Sequence, residues 1–271
     1  MRFHAFRDDS AVHRADGRPL MQALFGREGE QALRTLVGVP TLFGFDFDGT
    51  LAPIVARPDD ARVTSAIARA LVRLAARAPV AVVTGRAVAD VWPRLGFEPA
   101  FVVGNHGAED PMFPPTPAAA AAFDALRQRL TAEAPALAAA GVAIEDKTFS
   151  FALHYRLARD AAQAQQAIDA LVAGLDPRFR TFGGKAVLNI VAADAPDKAD
   201  AMFELVARAH CEAALFVGDD VNDEAVFERA PPSWVTVRVG LDERAETHAR
   251  FFLDGQASLA PMLQRLLTLL P

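Results

Sequence analysis

A chain of 271 residues with 52% apolar side chains has ample material for a packed core, which excludes disorder as its resting state. A net charge of -6, a sequence pI near 5.5 and no block of consecutive Lys or Arg argue against nucleic acid or an anionic membrane as its main partner. Cys211 is the only cysteine, which excludes an internal disulfide and a cysteine cluster for zinc.

In chain order, Met1 to Ser10, MRFHAFRDDS, mixes charges with aromatics and lacks an apolar signal core. The uncharged run from Ala134 to Ile144 is too short to span a bilayer, so a cytoplasmic protein with no membrane partner is expected. Residues 1–39 hold one helical pattern, near Glu28 to Val37, and are read as an N-terminal extension. The core is expected to begin at about 40 with a strand over Leu42 to Phe47. Val63, Ile67, Leu71 and Leu74 then recur at helical spacing, and Pro79 ends that helix before a strand over Val80 to Val83, which makes a βαβ unit. A second helix sets Val88, Val91, Trp92 and Leu95 on one face, shortened by Pro93, and leads to a third strand over Phe101 to Val103.

From 111 to 191 the pattern changes. PMFPPTP precedes an alanine-rich helix, and Thr148 to Arg156, TFSFALHYR, alternates with Phe149, Phe151, Leu153 and Tyr155 on one face, as a half-buried antiparallel strand does. A helix over Asp160 to Ala173 and strands over Arg178 to Phe182 and Lys185 to Val191 complete a small α+β cap. From 192 to 271 the βαβ rhythm returns: a helix with Met202, Phe203 and Val206, a strand over Ala214 to Val217, a helix from about Asp223, and strands over Val235 to Val239 and Phe251 to Leu253. The expected fold is α/β, a Rossmann-like parallel-sheet core, residues 40–110 and 192–271, interrupted by the inserted cap.

Ligands of an open parallel sheet bind at the carboxyl ends of its strands, and four polar clusters fall there. They are Asp46 and Asp48 in FGFDFDGTL; Thr84-Gly85-Arg86; Lys198; and Asp219, Asp220 and Asp223 in GDDVNDE. Each alone has a plain alternative. Asp-Gly ends strands, Thr84 suits a helix cap, and a lysine on a helix is usually solvated. Three acids within five residues nevertheless repel one another unless a cation gathers them, which a magnesium site would do.

Taken in order, DFDGTL, VVTGR, a lysine and GDDVNDE resemble the haloacid dehalogenase superfamily of phosphotransferases, from Leu42 to the end of the chain. GNHGAE at 104–109, KTFSFALHYR at 147–156 and GKAVLNI at 184–190 narrow the resemblance to the trehalose-6-phosphate phosphatases. The resemblance implies Mg2+ as cofactor and a small sugar phosphate as substrate. It implies Asp46 as nucleophile, with Asp46, the Asp48 main-chain carbonyl and Asp219 around the metal. Asp48 is then the acid and base, Thr84 and Lys198 face the phosphate, Arg86 joins the substrate ligands, and Asp220 and Asp223 stand behind the metal and Lys198.

The cap would choose the sugar. On TFSFALHYR the polar set Ser150, His154 and Arg156 lies opposite the aromatic face and is expected to point to the cleft. Lys147 has the wrong parity for that face, yet the resemblance makes it a sugar contact. Asn105 and His106 sit in a glycine-flanked hinge, with Glu109 expected to reach sugar hydroxyls; a histidine there is more often a satisfied loop residue. Lys185 and Asn189 share one face of the following strand. The family usually has glutamate where this chain has Asn189, which keeps an acceptor and loses the charge. The expected reaction is hydrolysis of trehalose 6-phosphate through an aspartyl-phosphate. The alternatives are another glycosyl phosphate, or a sugar-phosphate sensor without catalysis, against which stands a full set of competent acids. A monomer is slightly favoured.

Overall fold

The computed structural model describes residues 21–184, 186–240 and 247–270. Among them are two sheets. The larger has seven parallel strands: β1 (Gln22–Ala23), β2 (Thr41–Phe45), β3 (Val80–Val83), β4 (Phe101–Val103), β9 (Ala213–Gly218), β10 (Val235–Val239) and β11 (Phe251–Leu253), in the order β1-β11-β10-β9-β2-β3-β4. The smaller is antiparallel: β5 (Ala143–Asp146), β6 (Phe151–His154), β7 (Phe179–Gly184) and β8 (Val187–Ala192), in the order β5-β6-β8-β7.

Alternate side chains of the parallel strands bury against two helical layers. Phe43, Phe45, Val80, Val82, Leu215 and Val217 pack with α1 (Arg27–Leu36), α2 (Ser65–Ala75) and α8 (Leu259–Leu269). Leu42, Ala81, Val83, Ala214 and Phe216 pack with α6 (Lys198–Arg208) and α7 (Glu224–Arg229). Both faces are dry, so the strands read as continuous apolar runs rather than as alternation. The cap core gathers Phe151, Leu153 and Ile190 under α4 (Pro117–Ala139) and α5 (Ala161–Ala173).

Four expectations need correction. The segment to residue 39 is no separate extension from Gln22 on, because β1 pairs in parallel with β11 and Leu33 and Leu36 of α1 lie in the main core. The helix at 88 is α3 (Val88–Val91), which tightens into a 3-10 turn over Trp92–Arg94 at Pro93, so Trp92 rotates off the buried face and is 49% exposed. Strand β5 was not anticipated. Strand β6 is shorter than TFSFALHYR, because Thr148 takes φ +70 and breaks the extended run; Phe149 then leaves the cap core for a groove beside Trp92 and Phe113.

The polar rim of the sheet follows from register. Phe45 pairs with Val217 on one side and Val82 on the other, so Asp46, Thr84 and Asp219 leave the sheet side by side at its carboxyl edge. None of the described helices is long and apolar enough to cross a membrane.

Candidate active site

Asp46 continues β2, its N–H donating to Val217 O at 2.9 Å, and the residue is 5% exposed. Lys198 opens α6, where Asp197 caps the helix through a reciprocal box with Asp200; that anchoring turns the Lys198 side chain inward rather than to solvent. Its ammonium lies 2.9 Å from Asp46 Oδ1 and 2.7 Å from Asp223 Oδ1. Asp223 is fully buried and its other oxygen accepts the Asp220 N–H at 2.9 Å, so the GDDVNDE turn aims it at the lysine. Burial works against the charge on Lys198, but Asp223 and Asp46 outweigh it and hold its pKa above the ordinary value. Burial, with repulsion from Asp223 and Asp219, pushes the Asp46 carboxyl well above the usual carboxylate range, against the pull of Lys198.

One oxygen from each of Asp46, Asp219 and Asp223 falls within 4.8 Å of the others. An all-carboxylate set of this kind suits a hard divalent cation. The fit extends to the turn after Asp48: Gly49 has φ +78, and a Cβ there would stand 2.2 Å from Asp219 Oδ2, so only glycine lets Asp219 close on the site.

Asp48 stands at the mouth with its side chain 46% exposed, gripped by both arms of Arg86: Nε donates to Oδ2 at 2.7 Å and Nη2 to Oδ1 at 2.8 Å. Arg86 also donates to Asp90 at 2.8 Å and to Pro58 O at 3.0 Å. Expected among the substrate ligands, it is directed instead at Asp48. Thr84 is fully buried; its hydroxyl oxygen accepts the Arg86 N–H at 3.1 Å, which leaves the hydroxyl proton available to the cleft.

Cap and core enclose a cleft of about 190 Å³ whose walls include His106, Arg180, Phe182, Lys198, Val221 and Asn222. His106 reaches in over Gly85 and meets Phe182 edge-on at 5.1 Å. Burial, then the nearby Lys198 and Lys147 cations, press its pKa well below the usual histidine value, so the ring is neutral, and its buried Nδ1 has no hydrogen-bond partner among the described residues.

On the cap, Glu145, Ala152, Asn189 and Phe182 are paired across the four strands and so share one face, opposite the face of Phe151 and Ile190 that forms the cap core. Asn189 is thus on the cleft side, 3% exposed. Glu145 was not anticipated, since without β5 its side had no parity. It holds His154 Nε2 at 2.7 Å and lies 3.7 Å from Lys147 Nζ; burial raises its pKa less than these two partners lower it. Lys147, despite its parity, bends back in the turn before β6 and donates to Gly85 O at 2.9 Å. Ser150 and Asn105 are buried and bond to each other, and Glu109 accepts from Val88 N and Asn105 Nδ2 rather than standing clear in the cleft. Arg156 is exposed beyond β6, and Lys185 lies outside the described residues. Arg180, Phe182 and Asn222 were also missed. The first two sit on a strand whose cap core the sequence pattern leaves unassigned; Asn222 was legible within GDDVNDE.

A parallel α/β core with an inserted cap, two acids at the end of one central strand and a buried lysine at the start of the helix that follows the cap is the haloacid dehalogenase class of phosphatase fold. The C-terminal domain of a C. albicans trehalose-6-phosphate phosphatase matches with TM-score 0.74 and 21% identity, over 92% of this chain and 98% of that one. A trehalose-6-phosphate phosphatase of Aspergillus fumigatus matches with TM-score 0.62 and 24% identity, over 92% and 99%. At such identities these show the fold. The sequence profile described as trehalose-phosphatase matches residues 44–257, and the chain belongs to the trehalose-phosphatase family. It is 34% identical over 239 residues to the trehalose-phosphate phosphatase of Mycobacterium marinum, and 35% identical over 244 residues to that of Mycobacterium avium. Each match takes in 84% of this chain but only 61% and 62% of those relatives, so the chain spans about three fifths of their length.

Proposed function

We propose that this chain hydrolyses trehalose 6-phosphate to trehalose and phosphate, with Mg2+ as cofactor and a phosphorylated Asp46 as intermediate. The observation that carries the reading is the convergence of Asp46, Lys198, Asp223 and Asp219 at the carboxyl edge of the sheet, beneath a cap whose cleft face is polar.

Phosphate monoesters hydrolyse slowly because an anionic nucleophile must approach an anion, so the site must first neutralise charge. Lys198 supplies one fixed positive charge at Asp46 itself. A divalent cation held by Asp46, Asp219 and the Asp48 main-chain carbonyl would supply the rest. Asp46 then attacks phosphorus, the bond from phosphorus to the sugar oxygen breaks, and Asp48, having taken a proton from solvent on an oxygen released by one arm of Arg86, gives that proton to the departing oxygen. Asp48, now ionised and steered by Arg86, takes a proton from the water that opens the acyl-phosphate, which frees phosphate and restores Asp46. The Thr84 hydroxyl donates to a phosphate oxygen throughout. Glu145, Lys147, His154 and Asn189 supply donors and acceptors to sugar hydroxyls from the cap.

Asn189 favours a second reading, another glycosyl phosphate, because a neutral amide stands where the family usually places a carboxylate. Phosphate release from a panel of sugar phosphates decides between them. Trehalose 6-phosphate is expected to give the highest kcat/KM, with activity lost to chelator and restored by Mg2+; a clear preference for another glycosyl phosphate would overturn the trehalose reading, and no release from any would overturn the phosphatase.

A further inference from the structure

Asn105 and Ser150 are obvious candidates for sugar ligands, yet both are buried and every side-chain donor they have is committed to protein. Asn105 is fully buried at the end of β4, in left-handed backbone at φ +51, a conformation asparagine tolerates better than most residues. Its amide nitrogen donates both to Glu109 Oε2 at 2.8 Å and to Lys147 O at 3.2 Å. Its amide oxygen accepts from the Ser150 hydroxyl at 2.6 Å, and Ser150 is 2% exposed. The side chain that joins core to cap therefore spends both of its N–H donors on protein.

What these bonds hold is the cap turn at 147–150. Lys147 is pinned at three points: its carbonyl by Asn105, its N–H by Ser150 O at 2.9 Å, and its ammonium by Gly85 O at 2.9 Å. Thr148, a β-branched residue at φ +70, is kept in a conformation it would leave if the turn were free. On the core side the Asn105 N–H donates to Arg86 O at 2.9 Å, and Arg86 grips Asp48. One buried residue thus touches, through its side-chain amide, the turn that carries Lys147 and, through its main-chain N–H, the loop that aims the acid.

We propose that Asn105 and Ser150 form a latch that registers the cap turn on the Thr84-Gly85-Arg86 loop, and that they act on the reaction through Lys147, as positioning residues. The kinetic part of this rests on the sugar-phosphate reading above; the latch itself does not.

The test has two arms. In ligand-free protein, Ser150→Ala leaves the Asn105 oxygen without its donor, and the Lys147 and Phe149 amides are expected to exchange with solvent roughly 10-fold faster while β2 and β9 are unchanged. Asn105→Asp, which cannot donate to Glu109 or Lys147, is expected to do the same and serves if the first variant folds poorly. With trehalose 6-phosphate and Mg2+, Ser150→Ala and Lys147→Ala are each expected to lower kcat/KM, and the double variant to match Lys147→Ala within about twofold. Exchange at the turn that stays at the wild-type rate overturns the latch. Effects that multiply in the double variant overturn action through Lys147 and return Ser150 to direct sugar binding. If the wild-type chain does not turn over trehalose 6-phosphate, the substrate reading fails and the exchange arm alone decides the latch.

Discussion

Lys198 is one ammonium between two carboxylates, and its side chain is 3% exposed. That geometry separates two substitutions that both remove activity. Asp46→Asn deletes the proposed nucleophile but leaves Lys198 its bond to Asp223, so phosphate release is expected to fall by roughly 10⁴-fold or more with the urea midpoint retained. Lys198→Ala leaves Asp46 and Asp223 facing each other in the dry interior and is expected to lose about 3 to 5 kcal/mol of stability, read by urea unfolding in chelator. If the two variants unfold alike, the lysine is not the charge that holds these acids together. The acids were legible in the sequence because they cluster at a strand end. The depth of Lys198 was not, since helical spacing says nothing about which way the first turn faces. The same limit hid Arg86: a guanidinium beside a phosphate site reads as a ligand for phosphate until its partner, Asp48, is seen across 38 residues.

At the scale of elements, the buried strands were readable because both faces of the parallel sheet are covered: β3, β4, β10 and β11 fall where their apolar runs lie. Strand β5 escaped notice because it is largely exposed and carries Glu145 and Asp146 on a short edge. The turn after β2 carries a prediction of its own. Gly49→Ala would press a methyl onto Asp219 from a backbone at φ +78, so Asp219 must retreat from Asp46. The Mg2+ concentration for half-maximal activity is expected to rise about 10-fold or more, with the KM for an aryl phosphate changed much less. An unchanged Mg2+ requirement would remove Asp219 from the metal.

Over the whole molecule, the first helix and the last are tied by Glu30 and Arg265: Arg265 Nε donates to Glu30 Oε2 at 2.8 Å and Nη2 closes the second bond, with Arg34 3.0 Å away. These bonds, Arg265 first, lower the Glu30 pKa below its ordinary 4.5 against the opposing effect of burial. A carboxyl with a lowered folded-state pKa contributes stability above its unfolded value and loses it as the pH falls through the folded one. Glu30→Gln is therefore expected to lower Tm at pH 7 and to leave it unchanged near pH 2; a drop of equal size at both would mean packing, not charge, is what the pair provides. Nothing in the sequence paired these residues, because their separation of 235 positions is bridged only once both helices lie on one face of the sheet. The core segments on either side of the cap touch: at φ +114 a Cβ on Gly107 would stand 2.3 Å from Asp197 O. An insertion whose ends meet is, to the core, no longer than a tight turn. Core and cap are thereby separable in heredity as well as in space, and the cap can be lengthened, altered or exchanged while the sheet keeps its register.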